Sequence, residues 1–116
     1  MDLYHVWFDL LPGQRDVEVV DAIHRYLGKL TADGDIAGFR VTRRKLGLGL
    51  EALGEFHVTI EVDDLAQLDR AFGVVSRRAD PVETLHHDVN GRVRNFRAAL
   101  YRDFPDPHRH RGDERF

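Results

Sequence analysis

No cysteine occurs among the 116 residues, so disulfides, thiolate zinc sites and thiol catalysis are excluded. No apolar run approaches the roughly 18–20 residues that a bilayer-crossing helix needs. The first residues lack the basic and apolar regions of a signal peptide. A cytoplasmic address and no membrane partner are therefore expected. Excess positive charge is missing too: the formal net charge is −3, which gives no electrostatic reason to expect nucleic acid. Arginine greatly outnumbers lysine, as suits ion pairs on and around a sheet. No cofactor-binding motif is present, and no cofactor is expected.

What is there describes one domain. A hydrophobic fraction of 42% and a charged fraction of 32% are ordinary for a globular chain, and the length supports a single core. The stretch from Leu3 to Leu10 alternates without a break. Tyr4, Val6, Phe8 and Leu10 fall on one face, and Leu3, His5, Trp7 and Asp9 on the other. Such alternation is what a strand with two chemically different faces requires.

Pro12-Gly13-Gln14 then reads as a turn, and Asp16 as the N-cap of a helix to about Leu30. Its stripe is Val20, Ile23, Leu27 and Leu30, with Val19 and Tyr26 at the edge, and Asp33-Gly34 ends it. A second strand from about Gly38 to Lys45 sets Phe39 and Val41 against Arg40, Thr42 and Arg44. The leucine-rich loop from Gly47 to Gly54 suits a cover for the core edge, a lid or a partner contact. Strand three, Glu55 to Val62, alternates Phe56, Val58, Ile60 and Val62 with His57, Thr59 and Glu61. Asp63 is the expected cap of a helix striped by Leu65, Leu68, Phe72 and Val75. Asp80-Pro81-Val82-Glu83 starts a short helix, and a fourth strand runs from about Asn95 to Phe104. Residues 1–105 form the expected domain, and 106–116, with little to bury, a flexible tail.

Strand, helix, strand, strand, helix, short helix, strand is the order of a ferredoxin-like split βαβ sandwich, an α+β fold. Its antiparallel sheet has spatial order 4-1-3-2, with helices on one face. Centring each strand on its neighbour places Tyr101, His5, Glu61 and Arg40 in one row. Ala99, Trp7, Thr59 and Thr42 form the next, and Arg97, Asp9, His57 and Arg44 the last. Arg97–Asp9 and Glu61–Arg40 then fall side by side as opposite charges.

With one apolar and one polar sheet face at this length, the chain resembles the dimeric α+β barrel superfamily, which implies a homodimer. The segments 1–10, 42–47 (Thr-Arg-Arg-Lys-Leu-Gly) and 99–106 (Ala-Leu-Tyr-Arg-Asp-Phe-Pro-Asp) also resemble a family of uncharacterised small bacterial proteins. That likeness covers all but the tail and carries no activity with it.

The helix-free face is the expected site of a small polar or aromatic ligand. Tyr101, His5 and Glu61 are the candidate catalytic group: a carboxylate on histidine fixes its tautomer and raises its basicity. The same groups can instead only hydrogen-bond inside a dimer cavity, so enzyme activity stays open. Trp7 can stack on a planar ligand or on a partner sheet. Arg40, Arg44 and Arg97 can grip an anion, although Arg40 and Arg97 equally neutralise neighbouring acids. Asp9, His57 and Thr59 complete the candidate binding set. No metal is expected, because ligands four residues apart on one strand are about 13 Å apart. His24, His86 and His87 do not form a joint site, and His108 and His110 belong to the tail. The aromatics of RNA-binding strands are absent from strand three. The alternative is a structural protein whose open face is a filled dimer interface.

Overall fold

A computed structural model describes residues 1–105; the expected tail, with His108 and His110, lies outside the described residues. The elements are β1 (Asp2–Leu10), α1 (Asp16–Ala32), β2 (Gly38–Arg43), β3 (Phe56–Val62), α2 (Leu65–Ser76), α3 (Val82–Asn90) and β4 (Val93–Arg102). They build one antiparallel four-stranded sheet of order β2-β3-β1-β4, the ferredoxin-like order anticipated from the chain.

The core forms where the two alternations meet. Val6, Phe8, Phe56, Val58 and Val62 face Val19, Ile23, Leu27 and Leu30 of α1, with Leu68 and Ala71 of α2 and Val82 of α3. At about 25 cal/mol per Å² of apolar surface removed from water, this face supplies most of the stabilisation. The helices do not cover β4: Phe96 and Leu100, on its helix side, are each 52% exposed. The apolar layer is therefore one strand narrower than the alternation implies.

Helix starts differ slightly from expectation. Arg15, not Asp16, occupies the cap position of α1, with no side-chain cap; the Asp16 carboxylate accepts from the next amide, Val17 N–H. Asp64, not Asp63, caps α2 by accepting from Gln67 N–H at 2.8 Å, while Gln67 Oε1 accepts from Asp63 N–H at 2.7 Å. The two acids are adjacent, and the second, with extended backbone, sets its oxygen over the first turn. Asp80 does serve the start of α3, accepting from Thr84 N–H at 3.1 Å.

The register departs from the centred one, and every ladder slides by two residues. His5 is paired with Thr59 and Trp7 with His57, while Glu61 stands opposite Leu3. Arg40 pairs with Thr59 and Thr42 with His57. On the other side Ala99 pairs with His5 and Arg97 with Trp7. A slide of two keeps each side chain on its face, so the faces are as expected and the neighbours are not.

Contacts at the β3 start hold this alignment. Gly54 is buried against the β1 backbone so closely that a Cβ there would overlap Phe8 C and O and lie 2.7 Å from its Cα. One residue on, Glu55 N–H donates to Asp9 Oδ1 at 2.9 Å. Opposite, β4 bulges between Trp7 and Asp9 of its partner strand, which brings Arg94 against Asp9 and Val93 against Leu10. Asn95, at φ +57, sits at the break and donates its side-chain amide to Asp9 Oδ2 at 3.0 Å.

Candidate functional site

The helix-free face of β1 and β3 gathers two imidazoles and an indole into one cluster of nearly parallel rings. His5 Nδ1 and His57 Nε2 are 2.8 Å apart. With ring centroids 5.0 Å apart and planes 16° from parallel, the two rings meet edge to edge through a hydrogen bond. The Trp7 ring lies 4.7 Å from His57 and 4° from parallel to it, and 5.7 Å from His5 at 16°. Tyr101, diagonally across from His5, presents its ring edge-on at 5.0 Å. His5, Trp7, His57 and Thr59 are half-buried, and no element of the described chain packs over them.

This cluster follows from the slide. The centred register gave His5 a carboxylate, Glu61; the observed one moves Glu61 one rung away and supplies His57 instead. Glu61 is exposed, and its Oε2 would meet a Cβ at Gly38 at 3.4 Å. The expected Glu61–Arg40 and Arg97–Asp9 pairs do not form. Among the described residues neither Arg40 nor Arg97 makes a salt bridge, and Arg97 Nη1 donates to Phe96 O at 3.0 Å. Asp9 is engaged elsewhere, its pKa lowered first by the Asn95 side chain, then by the Glu55 amide.

Arg44, which the sequence leaves most free for an anion, donates to Leu50 O at 2.9 Å and Leu53 O at 2.6 Å. It organises the leucine loop from within, and a Cβ at Gly49 would overlap its guanidinium. Leu46, Leu48 and Leu50 of that loop are 84%, 77% and 70% exposed.

In the histidine pair one ring donates and the other accepts, so the pair is bonded when both are neutral or when they share one extra proton. Burial, then the charge of His5, lowers the His57 pKa from its ordinary value. The outer atoms differ: His57 Nδ1 lies 3.5 Å from Thr42 Oγ1, whereas His5 Nε2 has no hydrogen-bond partner among the described residues. Among the described residues no three His, Asp or Glu side chains converge as a metal set.

A second concavity lies on the other side of the sheet, between it and the helices. It is a cleft of about 310 Å³ walled by Val58, Ile23, Leu68 and Val75 among others, with Tyr4, Tyr26 and His86 in the wall. The sequence reading placed Tyr26 only at a stripe edge. A tyrosine inside each of two apolar stripes, Tyr4 on β1 and Tyr26 on α1, was the available signal. His24 and His87 are exposed and His86 is half-buried, so the adjacent pair does point two ways.

A model of a family of unknown function, DUF6614, matches residues 1–116. The chain belongs to that family. No curated protein matches it. Among solved structures it is similar to At3g17210 from Arabidopsis thaliana, with a TM-score of 0.68 and 9% identity over 89% of this chain and 95% of that one. It is also similar to a dimeric ferredoxin-like protein of unknown function from Jannaschia, with a TM-score of 0.66 and 15% identity over 89% and 100% of the two chains. A third, a dimeric ferredoxin-like protein of unknown function from Thermobifida fusca, gives 0.57 and 18% over 87% and 90%. At such identities the likeness carries the fold and leaves the site to be argued from its own atoms.

Proposed function

We propose that this DUF6614 chain is a homodimer that binds a small, flat, polar or aromatic molecule on its helix-free sheet face. One observation carries the reading: the rings of His5, Trp7 and His57 pack together parallel to within 16° on a face that the described chain leaves open. Planar groups of this kind favour a flat partner by stacking, and an open aromatic surface is ordinarily covered in use. The dimeric neighbours support a second copy as the cover.

In the binding reading His5 Nε2 meets the polar group of the ligand. Tyr101 bounds it on one side, Arg40 and Arg97 supply positive charge, and Thr59 and Thr42 supply hydroxyls. Asp9 and Arg44 act through the backbone they hold. A proton taken at His5 Nε2 can be released from Nδ1 to His57 Nε2, a relay of the sort that histidines near neutral pH support. Catalysis by His5 and Tyr101, with Glu61 one rung beyond, is the finer form of the same reading.

The exposed leucines of the 46–50 loop favour a second reading, in which the face is a packed assembly surface without a ligand. Native mass spectrometry of freshly purified protein separates the two. A dimer retaining a small molecule that His5→Ala and Trp7→Ala both shed supports binding. An empty dimer, with His5 and Trp7 buried by partner side chains, supports assembly. A monomer at micromolar concentration refutes both.

A further inference from the structure

We propose that the cleft between the sheet and the helices is a separate binding site, for an uncharged apolar molecule carrying one carbonyl oxygen. Its volume of about 310 Å³ falls in the range of small-molecule sites, about 300–1,000 Å³. No Lys, Arg, Asp or Glu lines it, so a charged ligand would enter without a counter-ion and would keep its desolvation cost. The body of the ligand is therefore apolar.

The polar groups in the wall define its head. Among the described residues the Tyr4 hydroxyl, the Tyr26 hydroxyl and the His86 ring have no protein hydrogen-bond partner and keep contact with solvent through the cleft. His86 lies against Tyr26, with ring centroids 5.4 Å apart, and Tyr4 packs edge-on against Phe72 at the same distance. Burial pushes the Tyr26 hydroxyl up to about 12 and raises that of Tyr4 as well, so both phenols stay protonated and can donate. Half-buried donors without partners, in a wall whose other polar side chain among the described residues is the exposed Asn90, match a ligand oxygen that accepts. Entry is past Phe72 and Phe96, the lining aromatics that reach solvent at 48% and 52% exposure.

This site is independent of the helix-free face, being on the opposite side of the sheet. Its test uses a matched pair of probes, 2-acetylnaphthalene and 2-ethylnaphthalene, titrated into the full chain and followed by methyl-resolved NMR. Both probes should shift the methyl groups of Ile23, Val58 and Val75, with the ketone bound about fivefold more tightly, as one added hydrogen bond gives. In the Tyr4→Phe/Tyr26→Phe double variant that preference should fall to near unity. Ala71→Phe and Val75→Phe, one turn apart on α2, each fill the cleft at a different depth along that wall and should abolish the shifts at Ile23 and Val58, with folding checked by circular dichroism. Two variants keep the test standing if one fails to fold. No cleft shifts at millimolar probe, or shifts confined to the neighbourhood of Trp7, would overturn the proposal. So would a ketone preference that survives loss of both phenols, or probe exclusion that grows with protein concentration, which would mark a second copy as the occupant.

Discussion

Replacing Gly54 with alanine tests the contact that sets the alignment of the two central strands. The added Cβ would overlap backbone atoms of Phe8 and come within 2.7 Å of its Cα, and no flexible side-chain end is available to yield. Overpacking costs about 1–3 kcal/mol, and a rigid backbone neighbour puts this case near the upper end. The reduced freedom of the unfolded chain returns about 0.5–1 kcal/mol. A net loss of about 2–2.5 kcal/mol follows, or about 10 °C in Tm for a domain of this size. Gly28→Ala is the control: it lies inside α1, and a Cβ there meets nothing within 4 Å. That variant should gain about 0.5–1 kcal/mol from helix propensity alone. Thermal unfolding followed by far-ultraviolet circular dichroism reports both stabilities. Trp7 emission reports separately whether the His57 stack loosens. A Gly54→Ala protein melting within about 2 °C of the parent, with unchanged emission, would refute the view that close packing of the two backbones holds the register.

Three further outcomes are expected. Because the folded-state pKa of His57 lies below its ordinary value of 6.5, its neutral form contributes stability that is full above about pH 6.5 and is lost as pH falls through the folded value. Tm should therefore drop between pH 7.5 and 5, and His57→Gln should flatten that step; equal slopes in the two proteins would contradict it. Asp9→Ala removes the bonds to Glu55 N–H and the Asn95 amide and should cost about 1–2 kcal/mol by urea unfolding, the partial exposure trimming the usual value for charged hydrogen bonds. Adding Asn95→Ala should cost less than it does in the parent. Arg44→Ala frees the Leu50 and Leu53 carbonyls and should speed amide exchange at Leu48 and Leu53 about tenfold, with Val58 unchanged; uniform acceleration would instead signal global destabilisation.

The element order, the strand order and the membership of each sheet face were legible because they rest on alternation and helical spacing, which are local. The neighbours across the sheet were not. A slide of two residues preserves every inward and outward assignment, so Leu3, His5, Trp7 and Asp9 fit Glu61, Thr59, His57 and Glu55 as readily as the centred alternative. What selects between them is a buried glycine and a carboxylate-to-amide bond, neither of which shows in a hydrophobicity pattern. The β4 start was misplaced for a related reason. Val93 and Phe96 both serve the apolar side although they are an odd number of residues apart, and only the bulge at Asn95 reconciles them. His5 and His57 were both named as site residues, but their bond depends on that alignment. The helix-side cleft is a property of volume, and only its two tyrosines left a trace in the sequence.

The two outer strands, β2 and β4, each have one edge without a strand neighbour and carry arginines beside it: Arg40 on one, Arg94 and Arg97 on the other. Two such molecules approaching edge to edge, in any combination, would bring guanidinium groups together before a single backbone bond could form. Like charge of this kind blocks the endless sheet extension that open strands otherwise invite. The centre of the broad face differs: it holds an indole stacked on two imidazoles, with Arg40 and Arg97 on its outer strands. Growth of the sheet is disfavoured at its margins, which leaves the flat of the molecule as the surface on which the proposed second copy would sit.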